Sequence, residues 1–185
     1  MQSRNRISSI GIGVFVGCGL VYLVSTSTAP APAAVTAANS RKSAPSFTLK
    51  DSTGVVLRLS EYKGKVVVLN FWSTHCGWCK VEIPWLMEFE TKHKATGLAV
   101  IGVSMDEDGW KAVKPFLEGR KLNYPVVVGN EDVAKLYGGV DALPMTLLID
   151  RDGRIAATHV GLVDKGAFEQ EIRILLQESY RTAVK

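Results

Sequence analysis

The sequence predicts an α/β fold: a central mixed sheet flanked by helices, with a β-hairpin added on its N-terminal side. Three observations carry this. Val66 to Phe71 is an apolar, largely β-branched run of strand length that leads into a segment of helical spacing. Downstream, strand-like runs keep alternating with helix-like ones, in the order β-β-β-α-β-α-β-α-β-β-α for the whole domain, which is the pattern of a sheet with helices on both faces. Two turn signals, Asp51-Ser52-Thr53-Gly54 and Asp150-Arg151-Asp152-Gly153, sit between alternating segments and add antiparallel hairpins.

The chain before the domain divides in two. Residues 1–24 hold a short basic end (Arg4, Arg6) and an uncharged, mostly apolar run from Ile7 to Val24, which reads as a signal anchor or signal peptide. The run lies at the lower limit of a bilayer span, and the basic end should stay cytoplasmic, placing all that follows outside. Small-x-small triplets such as Val35-Thr36-Ala37 leave cleavage open; an uncleaved anchor is favoured. Cys18 reads as a leader cysteine, because Phe15 is too bulky for a lipid-attachment site. Residues 25–44, rich in Ala, Pro, Ser and Thr and without apolar period, read as a flexible linker ahead of the domain, 45–185.

Within the domain, Phe47 and Leu49, then Val55, Leu57 and Leu59, alternate around the first turn as a hairpin. Val66 begins the central strand. The helix after Cys79 carries apolar residues at Val81, Trp85, Leu86 and Phe89, with a kink expected at Pro84. Leu98 to Val103 is a second buried strand, Gly109 to Leu117 a helix despite Pro115, and Pro125 to Val128 a short strand. Asp132 to Tyr137 fits one or two helical turns closed by Gly138. Met145 to Ile149 and Arg154 to His159 flank the second turn, and Lys165 to Ser179 is the last helix, with Phe168, Ile172, Leu175 and Leu176 on its apolar face.

Outside the leader the chain has a single pair of cysteines, Cys76 and Cys79. A structural disulfide framework would show more, at wider spacing, so a catalytic pair fits better. At the N-terminus of a helix that follows a buried strand, Cys-x-x-Cys is a redox signature: the sulfurs can close a small ring, and the unpaired N–H groups and positive dipole end favour a thiolate at Cys76. The chain carries a formal charge of +4, of which Arg4 and Arg6 account for two. The domain is close to neutral and has no basic block, which weighs against nucleic acid as a partner.

The stretch Asn-Phe-Trp-Ser-Thr-His-Cys-Gly-Trp-Cys-Lys-Val-Glu-Ile-Pro, Asn70 to Pro84, resembles the active site of thioredoxin-fold proteins, most closely the membrane-tethered TlpA/ResA-like reductases that include cytochrome c maturation factors. The similarity runs from about Pro45 to near the C-terminus and implies a thioredoxin fold. It implies that Cys76 attacks, Cys79 resolves, and Glu82, three positions on, serves Cys79 as a base. It implies that Pro144 is the cis proline facing the dithiol, leaving the backbone of Leu143 free to pair with a substrate strand. Asn70 stands where cytoplasmic thioredoxins carry a buried aspartate, which increases the burden on Glu82. His75 and Trp78 replace the residues common before and between the cysteines, so both are candidates for tuning, and Trp78 for a contact surface. His93 and His159 read as surface or strand residues without chemistry.

The reading is an extracytoplasmic thiol–disulfide oxidoreductase that reduces protein clients and needs no cofactor beyond its own cysteine pair. The resemblance suggests apocytochrome c as client and a membrane electron donor as partner. Net oxidation stays open, as does a copper-binding module built on Cys76, Cys79 and His159, with thiolates suited to Cu(I). Peroxide reduction is discounted, because Ser73 stands where a threonine is required.

Overall fold

Residues 35–183 are described by a computed structural model; the leader, Cys18 and the first part of the expected linker lie outside them. The strands are β1 (Lys42–Ser43), β2 (Thr48–Lys50), β3 (Val56–Arg58), β4 (Val66–Trp72), β5 (Leu98–Ser104), β6 (Val126–Val128), β7 (Met145–Ile149) and β8 (Arg154–Val160). The α-helices are α1 (Gly77–His93), α2 (Trp110–Glu118), α3 (Glu131–Leu136) and α4 (Lys165–Ala183). A six-stranded mixed sheet runs β1-β8-β7-β4-β5-β6, and β2 and β3 form the separate hairpin. This is the predicted order with one strand, β1, added.

All seven residues of β4 are buried, because the strand is central and covered on both faces. It pairs in parallel with β5 and antiparallel with β7. Alternation then divides its side chains. Val66, Val68 and Trp72 join a core with Ile83, Leu86 and Phe89 of α1 and Phe168, Ile172 and Leu175 of α4. Val67, Leu69 and Phe71 join the opposite core with the hairpin's Leu57 and with Val133 of α3.

Two expectations need correction. The buried face of α1 is Cys79, Glu82, Ile83, Leu86, Phe89, Glu90 and His93, whereas Val81 is 42% exposed. A hydropathy pattern counts Glu82, Glu90 and His93 as outward-facing, yet each has a partner inside: Glu90 accepts the Val100 N–H at 2.9 Å, and His93 meets Glu169 at 3.1 Å. Pairing makes such burial tolerable. The stretch 35–44 is not all linker either. Lys42 and Ser43 pair with Ile155 and Arg154, and Arg41 is buried against Asp150 at 3.1 Å and Glu178 at 2.7 Å. An arginine anchors the segment where apolar side chains would normally do so, which is why no apolar period announced it.

Candidate active site

The central strand β4 ends at Trp72, and the chain turns through Ser73, Thr74 and His75 into α1. Asp106, just beyond β5, holds this turn: it accepts from the Thr74 N–H at 2.9 Å and hydroxyl at 2.6 Å, and from Ser104 at 2.7 Å. Cys76 is the N-cap of α1 and its sulfur accepts the Cys79 N–H at 3.1 Å. That N–H is one of the donors a helix leaves unpaired in its first turn, so negative charge is favoured on Cys76 Sγ. Cys76 is joined to Cys79 in a disulfide. Cys76 is part-exposed and Cys79 wholly buried, so an approaching molecule meets Cys76 first.

Glu82 follows Cys79 by one turn on the same buried face and is itself 1% exposed. Its carboxylate accepts from Asn70 Nδ2 at 2.7 Å and from the Thr146 hydroxyl at 3.2 Å; Asn70 Nδ2 also donates to Thr146 at 2.9 Å. Asn70 and Thr146 are ladder partners on β4 and β7, so the sheet presents both side chains to α1 as a pair. Burial pushes the Glu82 carboxyl up to about 7, with the bonds from Thr146 and Asn70 opposing the rise.

The Leu143–Pro144 peptide is cis. Phe71 pairs with Met145, so Pro144 and half-buried Leu143 lie at the end of the sheet from which Cys76 emerges. Trp78 is 62% exposed beside the disulfide. His75 is exposed and lines a groove with Ser73, Asp106, Glu107 and Asp108. The sheet end and α1 thus gather the dithiol, Glu82, Asn70, Leu143, Pro144, Trp78 and His75 in one region.

A family model described as the AhpC/TSA family matches residues 41–158. ResA, a thiol-disulfide oxidoreductase of Bacillus thuringiensis subsp. konkukian (strain 97-27), is 36% identical over 133 residues, covering 71% of this chain and 76% of that protein. ResA of Bacillus subtilis (strain 168) is 28% identical over 174 residues, 94% and 95% of the two chains. The chain belongs to the AhpC/TSA family, as a ResA-like thiol–disulfide oxidoreductase. Among solved structures, a putative thiol:disulfide interchange protein DsbE from Chlorobium tepidum superposes with a TM-score of 0.70 at 36% identity, covering 74% of this chain and 96% of that one.

In this ResA-like oxidoreductase His159, which the copper reading would use as a third ligand, is engaged by α4. Its Nε2 is bonded to Glu171 at 2.7 Å and its ring stands edge-on to Phe168, turned toward α4. Among the described residues no group of three or more His, Cys, Asp or Glu side chains is placed to hold a metal ion. Sequence reasoning missed Thr146 and Asp106. Thr146 follows Pro144 by two positions, and that spacing next to a strand start was the available signal; Asp106 had only its position after β5.

Proposed function

We propose that this oxidoreductase works outside the cytoplasm as a reductant of disulfides in protein clients, with apocytochrome c the client suggested by its resemblance to cytochrome c maturation factors. The observation that carries the mechanism is the buried Glu82 in its cage of Asn70 and Thr146, one turn beyond Cys79. In the reduced protein the Cys76 thiolate attacks one client sulfur, breaking the client S–S bond and leaving a mixed disulfide and a client thiolate. Cys79 S–H gives its proton to the Glu82 carboxylate. The new Cys79 thiolate attacks Cys76 Sγ, and the second client thiolate leaves. Two electrons pass to the client, whose thiolates take up two protons, and Cys76–Cys79 closes.

Trp78, Leu143 and Pro144 form the surface on which the client lies, and His75 and Asn70 adjust the pair's properties. The disulfide is itself the redox group, so the reaction requires no bound cofactor. A membrane electron donor reopens Cys76–Cys79, and the segment before the domain tethers the protein near it. Among the described residues no helix is long and apolar enough to cross a membrane, so the tether rests on residues 7–24. Trapping tests the reading. A Cys79→Ser protein lacks the resolving thiol and should accumulate mixed disulfides in the cell envelope with proteins carrying Cys-x-x-Cys-His. Capture of many unrelated secreted proteins would favour general disulfide reduction, and capture of none would sink the reductase reading.

A further inference from the structure

Five buried side-chain polar atoms have no hydrogen-bond partner among the described residues, and three of them belong to residues that neighbour one glycine: Asn70 Oδ1, Trp72 Nε1 and the Tyr124 hydroxyl. Gly102 is the ladder partner of Asn70 on β5, and a Cβ there would sit 3.1 Å from Trp72 Nε1 and 3.3 Å from Tyr124 Cε2. The indole and the phenol ring therefore both lean over the same bare stretch of backbone. Asn70 turns its nitrogen to Glu82 and to Thr146 on β7, so its oxygen faces away from β7, on the side where Gly102 lies. Tyr124 is close enough to feel Glu82: its phenol is pushed up first by burial and then by the Glu82 charge.

The unpartnered atoms are complementary in kind. Trp72 N–H can only donate, Asn70 Oδ1 can only accept, and the tyrosine hydroxyl can donate. Among the described residues the Glu82 carboxylate accepts from Asn70 and Thr146 alone, which leaves it lone pairs to spare. A water molecule has the matching capacity: two acceptor sites, which suit Trp72 and Tyr124, and two hydrogens, which suit Asn70 and Glu82. Buried waters typically make about three such bonds to otherwise unpaired groups, and leaving each group unpaired costs about 1–3 kcal/mol. We propose that Trp72, Tyr124, Asn70 and Glu82 build a site for one internal water, through which Tyr124 acts as a positioning residue for Glu82.

The site has a consequence for the base. A hydrogen donated by the water favours the charged carboxylate, so losing the water makes Glu82 harder to ionise. The groups bonded to Glu82 are neutral Asn70 from β4 and neutral Thr146 from β7; the titratable groups nearest it in the fold are Tyr124, whose phenol registers the Glu82 charge, and Cys79, one turn earlier on its own helix. No cation and no second carboxylate is hydrogen-bonded to it among the described residues.

The test uses the full-length oxidised protein with no client or electron donor, so it is independent of the trapping experiment: either can fail while the other succeeds. In NMR spectra of the wild type, the Trp72 indole proton should show a cross-peak to water with the sign of a long-lived bound molecule. Tyr124→Phe should lose or weaken that cross-peak, lower the melting temperature, and move the titration midpoint of a ¹³C-labelled Glu82 carboxyl upward. Without the water, Tyr124→Phe removes an unsatisfied buried hydroxyl and should melt higher than wild type. That result, or no water cross-peak at Trp72 in the wild type, overturns the proposal. Should Tyr124→Phe fail to fold, the wild-type cross-peak decides alone.

Discussion

Glu82 is the residue on which stability and chemistry pull in opposite directions. Its carboxyl titrates at about 7 in the folded protein, against an ordinary value of 4.5. Below the ordinary value it is protonated in both folded and unfolded chains, and stability is undiminished. As pH rises toward and through 7, the folded protein must hold a buried charge that the unfolded chain holds in water. Stability falls over that window by an amount on the order of 3 kcal/mol. Glu82→Gln should flatten this dependence, so that urea unfolding at pH 8 finds the variant more stable than the wild type. A wild type equally stable at pH 5 and pH 8 would contradict the buried carboxylate. The same variant should slow client release by about 10²-fold at neutral pH, the lower end of general-base effects, measured in single turnover. Cys76, Cys79 and Glu82 were legible in one local stretch, and Pro144 through the resemblance that stretch carries. Thr146 was not, because only the register of β4 against β7 brings it to Glu82.

Helix α1 is where element and site are one object. Its first turn holds Cys76 at the cap, its second buries Glu82, and its exposed side carries Trp78 and Val81. In the reduced protein Cys76 should therefore react with iodoacetamide faster than Cys79 at pH 7, by about tenfold or more, given a thiolate favoured at the helix end and a fully buried partner. Peptide mapping after timed quenching reads both rates, and equal rates would argue against the assigned roles. The existence of the helix and its boundaries were legible within a few residues, but its rotation was not. The expected inward Val81 faces out, because Glu82, Glu90 and His93 take up inner positions that only specific partners make affordable. The strands β4, β5 and β7 were clear from their β-branched runs, whereas two-residue β1 owes its place to Arg41 rather than to its own side chains.

At the scale of the whole molecule, the sheet has two ends with different tasks. The disulfide emerges beyond the C-terminal end of β4, while the chain enters along the start of β8, at the opposite end, where Arg41 is held by Asp150 and Glu178. Arg41→Ala should cost about 3 kcal/mol in chemical denaturation, the lower range for breaking a buried ion pair; a loss within error would make the entry segment dispensable. If residues 7–24 anchor the protein, a C-terminal reporter that works only in the cytoplasm should stay silent, and activity there would refute the extracytoplasmic placement. The central claim is dithiol exchange with a client through Cys76 and Cys79. Its most direct measurement is mass spectrometry of the reduced protein mixed with one equivalent of a disulfide-closed Cys-x-x-Cys-His peptide. The wild type should convert the peptide to its dithiol and end as the Cys76–Cys79 disulfide, Cys79→Ser should stop at a covalent peptide adduct, and Cys76→Ser should leave the peptide closed. A peptide that stays closed with the wild type, or opens equally well with Cys76→Ser, would contradict the claim.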